Sequence, residues 1–126
     1  MPLRCLIVDD HASFVKAAAR MLEREGLSVV GVASNGEDAL TRARELHPDV
    51  VLLDIALGAD SGFAVARRLA EDGSDVPKII LISTHAEADF ADLIDATPAA
   101  GFVPKAELSA TAVQRLALRP NARRET

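Results

Sequence analysis

The 126-residue chain has no tryptophan, no tyrosine, four phenylalanines and one cysteine. With so few rings available, its interior has to be built from Leu, Ile, Val and Ala. The lone cysteine, Cys5, rules out an internal disulfide; standing inside an apolar run, it reads as a buried reduced thiol acting as a small hydrophobe. No apolar run is long enough to span a bilayer. No charged-then-apolar leader opens the chain, so a soluble, unexported, cytoplasmic protein with no membrane partner is expected. An excess of positive charge is missing too: 14 Lys and Arg stand against 19 Asp and Glu, a formal net charge of −5. That balance argues against direct nucleic-acid binding by this chain. Internal repeats and low-complexity segments are also absent.

What is present is a regular alternation, in a chain long enough for one domain with a real core. Apolar runs stand at Leu3–Val8, Ser28–Ala33, Asp49–Leu53, Lys78–Ser83 and Gly101–Val103. They are apolar nearly throughout, the pattern of strands covered on both faces. Between them lie segments with helical spacing. Phe14, Ala17, Ala18, Met21 and Leu22 share one face, and Ala39, Leu40, Ala43 and Leu46 another. The pattern repeats with Phe63, Ala66, Leu69 and Ala70, then with Phe90, Leu93, Ile94 and Thr97. Leu108, Ala112, Val113 and Leu116 suggest a last helix. Gly26 suits a helix C-terminal cap; Ser34 and Glu37 have the spacing of a capping box; Pro48 and Pro77 precede strands. The order βαβαβαβαβα predicts a single α/β domain, a doubly wound parallel sheet with helices on both faces. After Pro120 a flexible tail or the start of a linker is expected over 120–126, leaving 1–119 as the domain.

The chemistry lies where the strands end. Asp9 and Asp10 follow the first run, Asp54 the third, Ser83 closes the fourth and Lys105 follows the fifth. In a parallel sheet, chemistry gathers outside the carboxyl ends of the strands. Carboxylates brought together there repel by roughly 4 kcal/mol per close pair at an effective dielectric near 20. A hard divalent cation held by oxygen ligands would offset that repulsion. Acids, a hydroxyl and an ammonium at one edge make a set suited to a phosphoryl group: Asp54 as nucleophile, a cation on Asp10 and Asp54, and Ser83 and Lys105 on the remaining oxygens.

Four motifs in order, Val8-Asp9-Asp10, Leu52-Leu53-Asp54-Ile55, Leu81-Ile82-Ser83 and Gly101-Phe102-Val103-Pro104-Lys105, carry a resemblance to the response-regulator receiver domain of two-component signalling, from Leu3 to about Leu118. The resemblance implies the CheY-like, flavodoxin-like (βα)5 fold with strand order 2-1-3-4-5. It implies that Asp54 accepts a phosphoryl group from a phosphohistidine on a sensor histidine kinase or phosphotransfer protein. Mg²⁺ would be the cofactor, with Asp10 a direct ligand, Asp9 acting largely through water and the Ala56 carbonyl as a further contact. Ser83 matches the switch hydroxyl, Phe102 the aromatic switch and Lys105 the lysine that pairs with the phosphorylated aspartate. His85 and Ala56 match positions that set the phosphoryl lifetime. Such a module is a signalling domain rather than an enzyme, although it assists its own phosphorylation and dephosphorylation.

Several positions depart from the family pattern. Ala106 stands where many receivers have a proline after the lysine, and here the proline precedes it as Pro104. The loop after Asp54 lacks the usual proline and carries Gly58 instead, and Pro98 stands where glycine is common. None of these removes a reacting group. Acidic Glu87, Asp89, Asp92 and Asp95 before the fifth strand, and basic Arg115, Arg119, Arg123 and Arg124 after it, could support a phosphorylation-dependent homodimer. A C-terminal DNA-binding domain is the other candidate output. His11 could touch an incoming kinase, and His47 belongs to the end of the second helix.

Three alternatives compete with this reading. A flavodoxin-type electron carrier would need hydroxyls and glycine after the first strand, where Asp9 and Asp10 would repel a flavin phosphate. A haloacid-dehalogenase-type phosphatase needs Asp-x-Asp, and neither Asp9, two before His11, nor Asp10, two before Ala12, supplies it. A phosphorylation-independent receiver acting only as a protein-binding module is the remaining one.

Overall fold

The computed structural model describes residues 2–58, 60–72, 76–84 and 90–118. The elements run β1 (Arg4–Val8), α1 (Ala12–Arg24), β2 (Ser28–Ala33), α2 (Gly36–Leu46) and β3 (Val50–Asp54), then a small β4 (Ala56–Leu57) and β5 (Asp60–Ser61). They continue with α3 (Gly62–Glu71), β6 (Lys78–Ser83), α4 (Ala91–Asp95), β7 (Gly101–Pro104), a 3₁₀ turn over Lys105–Glu107 and α5 (Ala110–Ala117). The five main strands form one parallel sheet ordered β2-β1-β3-β6-β7. In order along the chain these are the first to fifth main strands, so the expected 2-1-3-4-5 arrangement is the one found.

The period of two along each strand explains the two layers. Leu6, Val8, Val51, Leu53, Ile79 and Leu81 point to one face and meet Ala39 and Leu40 of α2 and Phe63, Ala66 and Leu69 of α3. Cys5, Ile7, Val50, Leu52, Ile80 and Ile82 point to the other and meet Val15, Ala18 and Leu22 of α1 and Val113 of α5. All five residues of β3 are buried. At about 1.5–3 kcal/mol for each large apolar side chain taken out of water, this central strand is held more firmly than any exposed ion pair could hold it. Cys5 is a free, wholly buried thiol, and burial pushes its pKa up to about 11.

Local details differ from the sequence expectation in instructive ways. The cap of α2 is Asn35, whose side chain accepts from the Asp38 N–H, rather than Ser34; both residue types cap well, and the helix starts one residue later than the capping box suggests. Ala17 is exposed, since the buried stripe of α1 runs through Val15, Ala18 and Leu22. Leu108 lies ahead of α5, which begins after Ser109, whose hydroxyl accepts from the Ala112 N–H. Helix α4 spans only Ala91–Asp95 and has no fully buried residue, while Thr97 is buried beyond its end with its hydroxyl donating to the Leu93 carbonyl. Gly26 has φ +105°, as a glycine cap requires, and His47 caps α2 in the left-handed region at φ 49°. Among the described residues no peptide bond is cis, and no helix is long and apolar enough to cross a membrane. The tail expected over 120–126 lies outside the described residues, as do Glu87, Asp89, Arg119, Arg123 and Arg124 of the charged surface.

Candidate functional site

Register across the sheet brings the strand-end residues into one row. Val8 pairs with Leu53, Asp54 with Ile82, and Ser83 with Pro104. The residues at and just past those pairs are Asp9, Asp54, Ser83 and Lys105, so four neighbouring strands deliver acid, acid, hydroxyl and ammonium at one edge. Pro104 ends β7 at the sheet's border, where its missing N–H breaks no ladder.

The acids are largely withdrawn from water: the side chains of Asp9 and Asp54 are 0% and 4% exposed, and that of Asp10 is 35% exposed. Lys105 reaches back into them with its Nζ 2.6 Å from Asp9 Oδ2 and 3.4 Å from Asp54 Oδ2. Its ammonium also sits 4.4 Å from the centroid of the Phe14 ring, a cation–π contact from α1. Asp54 Oδ1 accepts from the Ala56 N–H at 3.1 Å. The pKa of Asp54 is raised, by burial first and by the Asp9 charge, against the Ala56 N–H and Lys105.

His11 is the residue that sequence reasoning undervalued. Its Nδ1 donates to Asp9 Oδ1 at 2.8 Å and lies 3.2 Å from Asp10 Oδ1 and 3.6 Å from Asp54 Oδ2. The hydrogen bond to Asp9 raises its pKa, against the charge of Lys105. Its position one residue past the acid pair was the available signal. Asp60 and Gly62 gave none: Asp60 Oδ2 accepts from the Gly36 N–H at the start of α2, 24 residues away, at 2.9 Å. A side chain on Gly62 would run into the backbone of Asp54 and Ile55. Gly58 adopts φ +57° between the paired Leu57 and Asp60, the left-handed geometry of a tight hairpin.

Asp54, Ala56, Ser83 and Lys105 line a cavity of about 190 Å³, walled also by His11, Thr84, Phe63 and Phe90. Ser83 is 2% exposed, and Phe102 is buried in the core beside Leu81. The rings of Phe63 and Phe90 lie 6.2 Å apart at the cavity's apolar end. His85 lies outside the described residues.

The donor set fits a hard divalent cation. Ligand atoms of Asp9, Asp10, His11 and Asp54 all lie within 4.8 Å of one another. Asp9 Oδ2 is buried and accepts no well-directed hydrogen bond, having only the Lys105 ammonium beside it. Three carboxylates facing one ammonium leave negative charge in excess, which a cation would neutralise.

The model of the response regulator receiver domain matches residues 5–117. The chain belongs to that family. Its role is accordingly in two-component signalling, and Asp9, Asp10 and Asp54 fit the phosphoacceptor site of a receiver. The chain is 37% identical over 117 residues to the response regulator GacA of Pseudomonas viridiflava, covering 92% of this chain and 54% of that protein. It therefore spans about half the length of the curated relatives it matches. The signal receiver domain of NarL from Mycobacterium tuberculosis superposes with a TM-score of 0.80 at 31% identity, over 92% of this chain and 96% of that one. A response regulator from Burkholderia pseudomallei, described with a phosphorylated aspartic acid, a calcium ion and citrate, superposes at 0.77 with 28% identity, over 95% and 68% of the two chains.

Proposed function

We propose that the receiver domain is phosphorylated on Asp54 by a sensor histidine kinase or phosphotransfer protein, with Mg²⁺ as its cofactor. A single observation carries this reading: the buried Asp54 carboxylate shares one cavity with Ser83 and Lys105, beside the acid pair Asp9–Asp10. The relative from Burkholderia pseudomallei, with its phosphorylated aspartic acid and calcium ion, supports the same chemistry here.

In this reading an oxygen of Asp54 attacks the phosphorus of a phosphohistidine. The P–N bond breaks as the P–O bond forms, and the departing imidazole takes a proton from solvent. Asp10, Asp54 and the Ala56 carbonyl would hold the cation, with Asp9 acting largely through water, and Mg²⁺ bound there would supply charge neutralisation for the phosphoryl oxygens. The Ala56 N–H holds one oxygen of Asp54 in line, and Lys105 stands ready to pair with the new phosphate. Ser83 then turns toward the phosphoryl group and Phe102 follows, shifting a pre-existing equilibrium on the α4–β7–α5 face. Ala56 and His85 set how readily water removes the phosphoryl group.

Residues 1–119 form the receiver unit, with 120–126 a tail or linker. Two readers of the switched face are consistent with the molecule: a C-terminal DNA-binding output domain, given that the relatives are longer, and a second copy of the chain. Exposed Asp92 and Asp95 on α4 and exposed Arg115 on α5 support the second. Sedimentation with and without beryllofluoride separates the two, since a chain that stays monomeric in both samples has no homodimer output.

The test of the central reading is intact mass after incubation with Mg²⁺ and acetyl phosphate, beside Asp54→Asn. One phosphoryl adduct, dependent on Mg²⁺ and lost in the variant, is expected. If no adduct forms and beryllofluoride with Mg²⁺ also fails to bind, the phosphorylation reading falls and a constitutive protein-binding module takes its place.

A further inference from the structure

The cavity at Asp54 has two unlike ends. Its polar end holds the Asp54 carboxylate, Ser83 and Lys105, which phosphoryl transfer employs; its other walls are Ile55, Phe63 and Phe90, to which the transfer as set out above gives no task. We infer that the apolar end is a subsite for the leaving ring of the phosphodonor, with Phe90 the residue that favours a neutral, planar imidazole over a leaving group without a ring. The assignment rests on Asp54 being the phosphoacceptor and adds to that reading a subsite and a donor preference.

Rings and space suit this use. The centroids of Phe63 and Phe90 lie 6.2 Å apart with their planes tilted by 46°, the spacing of a favourable aromatic pair. Phe63 is 8% exposed and Phe90 is half-buried, so Phe90 is the ring with surface left to offer. At about 190 Å³ the cavity is smaller than the roughly 300–1,000 Å³ of pockets for drug-sized ligands, and it suits a phosphoryl group carrying one ring. Ala56 and Thr84 also line it and are exposed, so a histidine on a partner can enter from solvent past two small side chains.

The course of the transfer brings the ring to that wall. As an Asp54 oxygen bonds to phosphorus, the P–N bond opposite it breaks, and the imidazole leaves with a proton taken from solvent. The ring therefore lies beyond the phosphorus as seen from Asp54. Of the two aromatic walls, Phe63 belongs to α3, which follows the Asp54 strand through a short hairpin, whereas Phe90 is brought from another segment, past β6. Apolar walls accept a neutral ring and disfavour a charged leaving group. Acetyl phosphate, whose P–O bond breaks to release acetate, leaves an anion there that must stay solvated.

The test measures phosphorylation rates of the wild-type chain, Phe90→Leu and Phe90→Tyr with Mg²⁺ and two donors, phosphoimidazole and phosphoramidate. Both donors break a P–N bond, and only the first carries a ring. Phe90→Leu should slow transfer from phosphoimidazole about two- to tenfold, the worth of one aromatic contact, and leave phosphoramidate nearly unchanged. Phe90→Tyr should keep the wild-type ratio of the two rates. Each ratio is taken on one preparation, so a smaller folded fraction cancels from it. Equal slowing with both donors, or no slowing with either, overturns the subsite, because a residue that only packs α4 in place would move both rates together. A wild type that accepts from neither donor refutes the phosphoacceptor reading and the subsite with it; one that accepts from both, with the ratio unchanged in Phe90→Leu, refutes the subsite alone.

Discussion

The Lys105 ammonium is closer to Asp9 than to Asp54, at 2.6 Å against 3.4 Å. The acid that follows β1, and not the proposed phosphoacceptor, is thus its nearer partner, while Phe14 holds it from the side. Lys105 is the internal counter-ion of the acid cluster Asp9, Asp10 and Asp54. Lys105→Met keeps the aliphatic stem and removes the charge, leaving the buried Asp9 with only the His11 backbone N–H and imidazole on its Oδ1; breaking a buried pair in this way costs about 3–5 kcal/mol. The melting temperature without metal should fall by about 12–20 °C, taking about 4 °C per kcal/mol for a chain of this length. Mg²⁺ should then raise it by more than it raises the wild type, because a competing cation has gone. An equal or smaller Mg²⁺ response in the variant would show that the lysine does not share charge with the cation site.

Asp54 gives a prediction whose sign depends on pH. Burial raises its pKa in the folded chain above the ordinary 3.8. Below 3.8 both folded and unfolded chains hold the proton, and the group has no effect. As pH rises from 3.8 through the raised folded value, the unfolded chain releases the proton first, so stability falls, and above that value the loss is complete. Asp54→Asn should therefore stabilise the metal-free domain at pH 7, by about 1 kcal/mol or more given a carboxylate neighbour this close. That is about 4 °C in melting temperature. The difference should vanish near pH 3, and a wild type more stable than the variant at pH 7 would contradict the origin assigned to the shift.

How far the site could be read in advance follows from the range of each interaction. The row Asp9, Asp54, Ser83 and Lys105 was legible because strand ends in a parallel sheet share an edge, and apolar runs announce where strands end. The two-layer core was legible for the same reason, although the exposure of Ala17 shows that a stripe can be placed one residue off. His11 was visible only as a neighbour of the acids, since which way a ring turns is decided by partners and not by spacing. The shortness of α4 escaped the pattern because Leu93 and Ile94 suit a longer apolar face, yet Leu93 is 51% exposed. Asp60 and Gly62 were illegible: one bonds across 24 residues and the other is defined by the space it leaves empty.

The tie between Asp60 and Gly36 links the loop beyond Asp54 to the N-terminus of α2. A carboxylate there satisfies an otherwise orphaned N–H and faces the positive end of the helix. Asp60→Ala should cost about 1 kcal/mol, and Asp60→Asn, which keeps an acceptor, only part of that. Because Asp60 pairs with Leu57 in the same hairpin that carries Ala56, the Ala variant should also speed hydrogen exchange at the Ala56 amide. Unchanged exchange there, with α2 loosened, would mean that the hairpin is held without Asp60.

Gly62 makes the sharpest steric claim. An added Cβ would lie 2.2 Å from the Asp54 carbonyl oxygen and 2.5 Å from the Ile55 Cα, both backbone atoms that cannot swing aside. The Gly62 N–H also donates to the Ile55 carbonyl at 2.9 Å, so helix α3 is stitched to the end of β3 by the residue that must stay small. Gly62→Ala cannot be accommodated by a rotamer change, and either α3 or the Asp54–Ile55 segment has to shift. Overpacking of this kind costs typically about 1–3 kcal/mol, and contact with backbone puts it at the upper end. If β3, anchored by five buried residues, holds its place, α3 moves; then stability falls while the Asp54–Ala56 geometry and Mg²⁺ affinity persist. If the strand end yields instead, Mg²⁺ affinity falls with stability. Denaturant unfolding alongside Mg²⁺ titration of Gly62→Ala distinguishes the two. The burial of β3 favours the first outcome, and a variant as stable as the wild type would show that the close approach of α3 is not what the structure makes it.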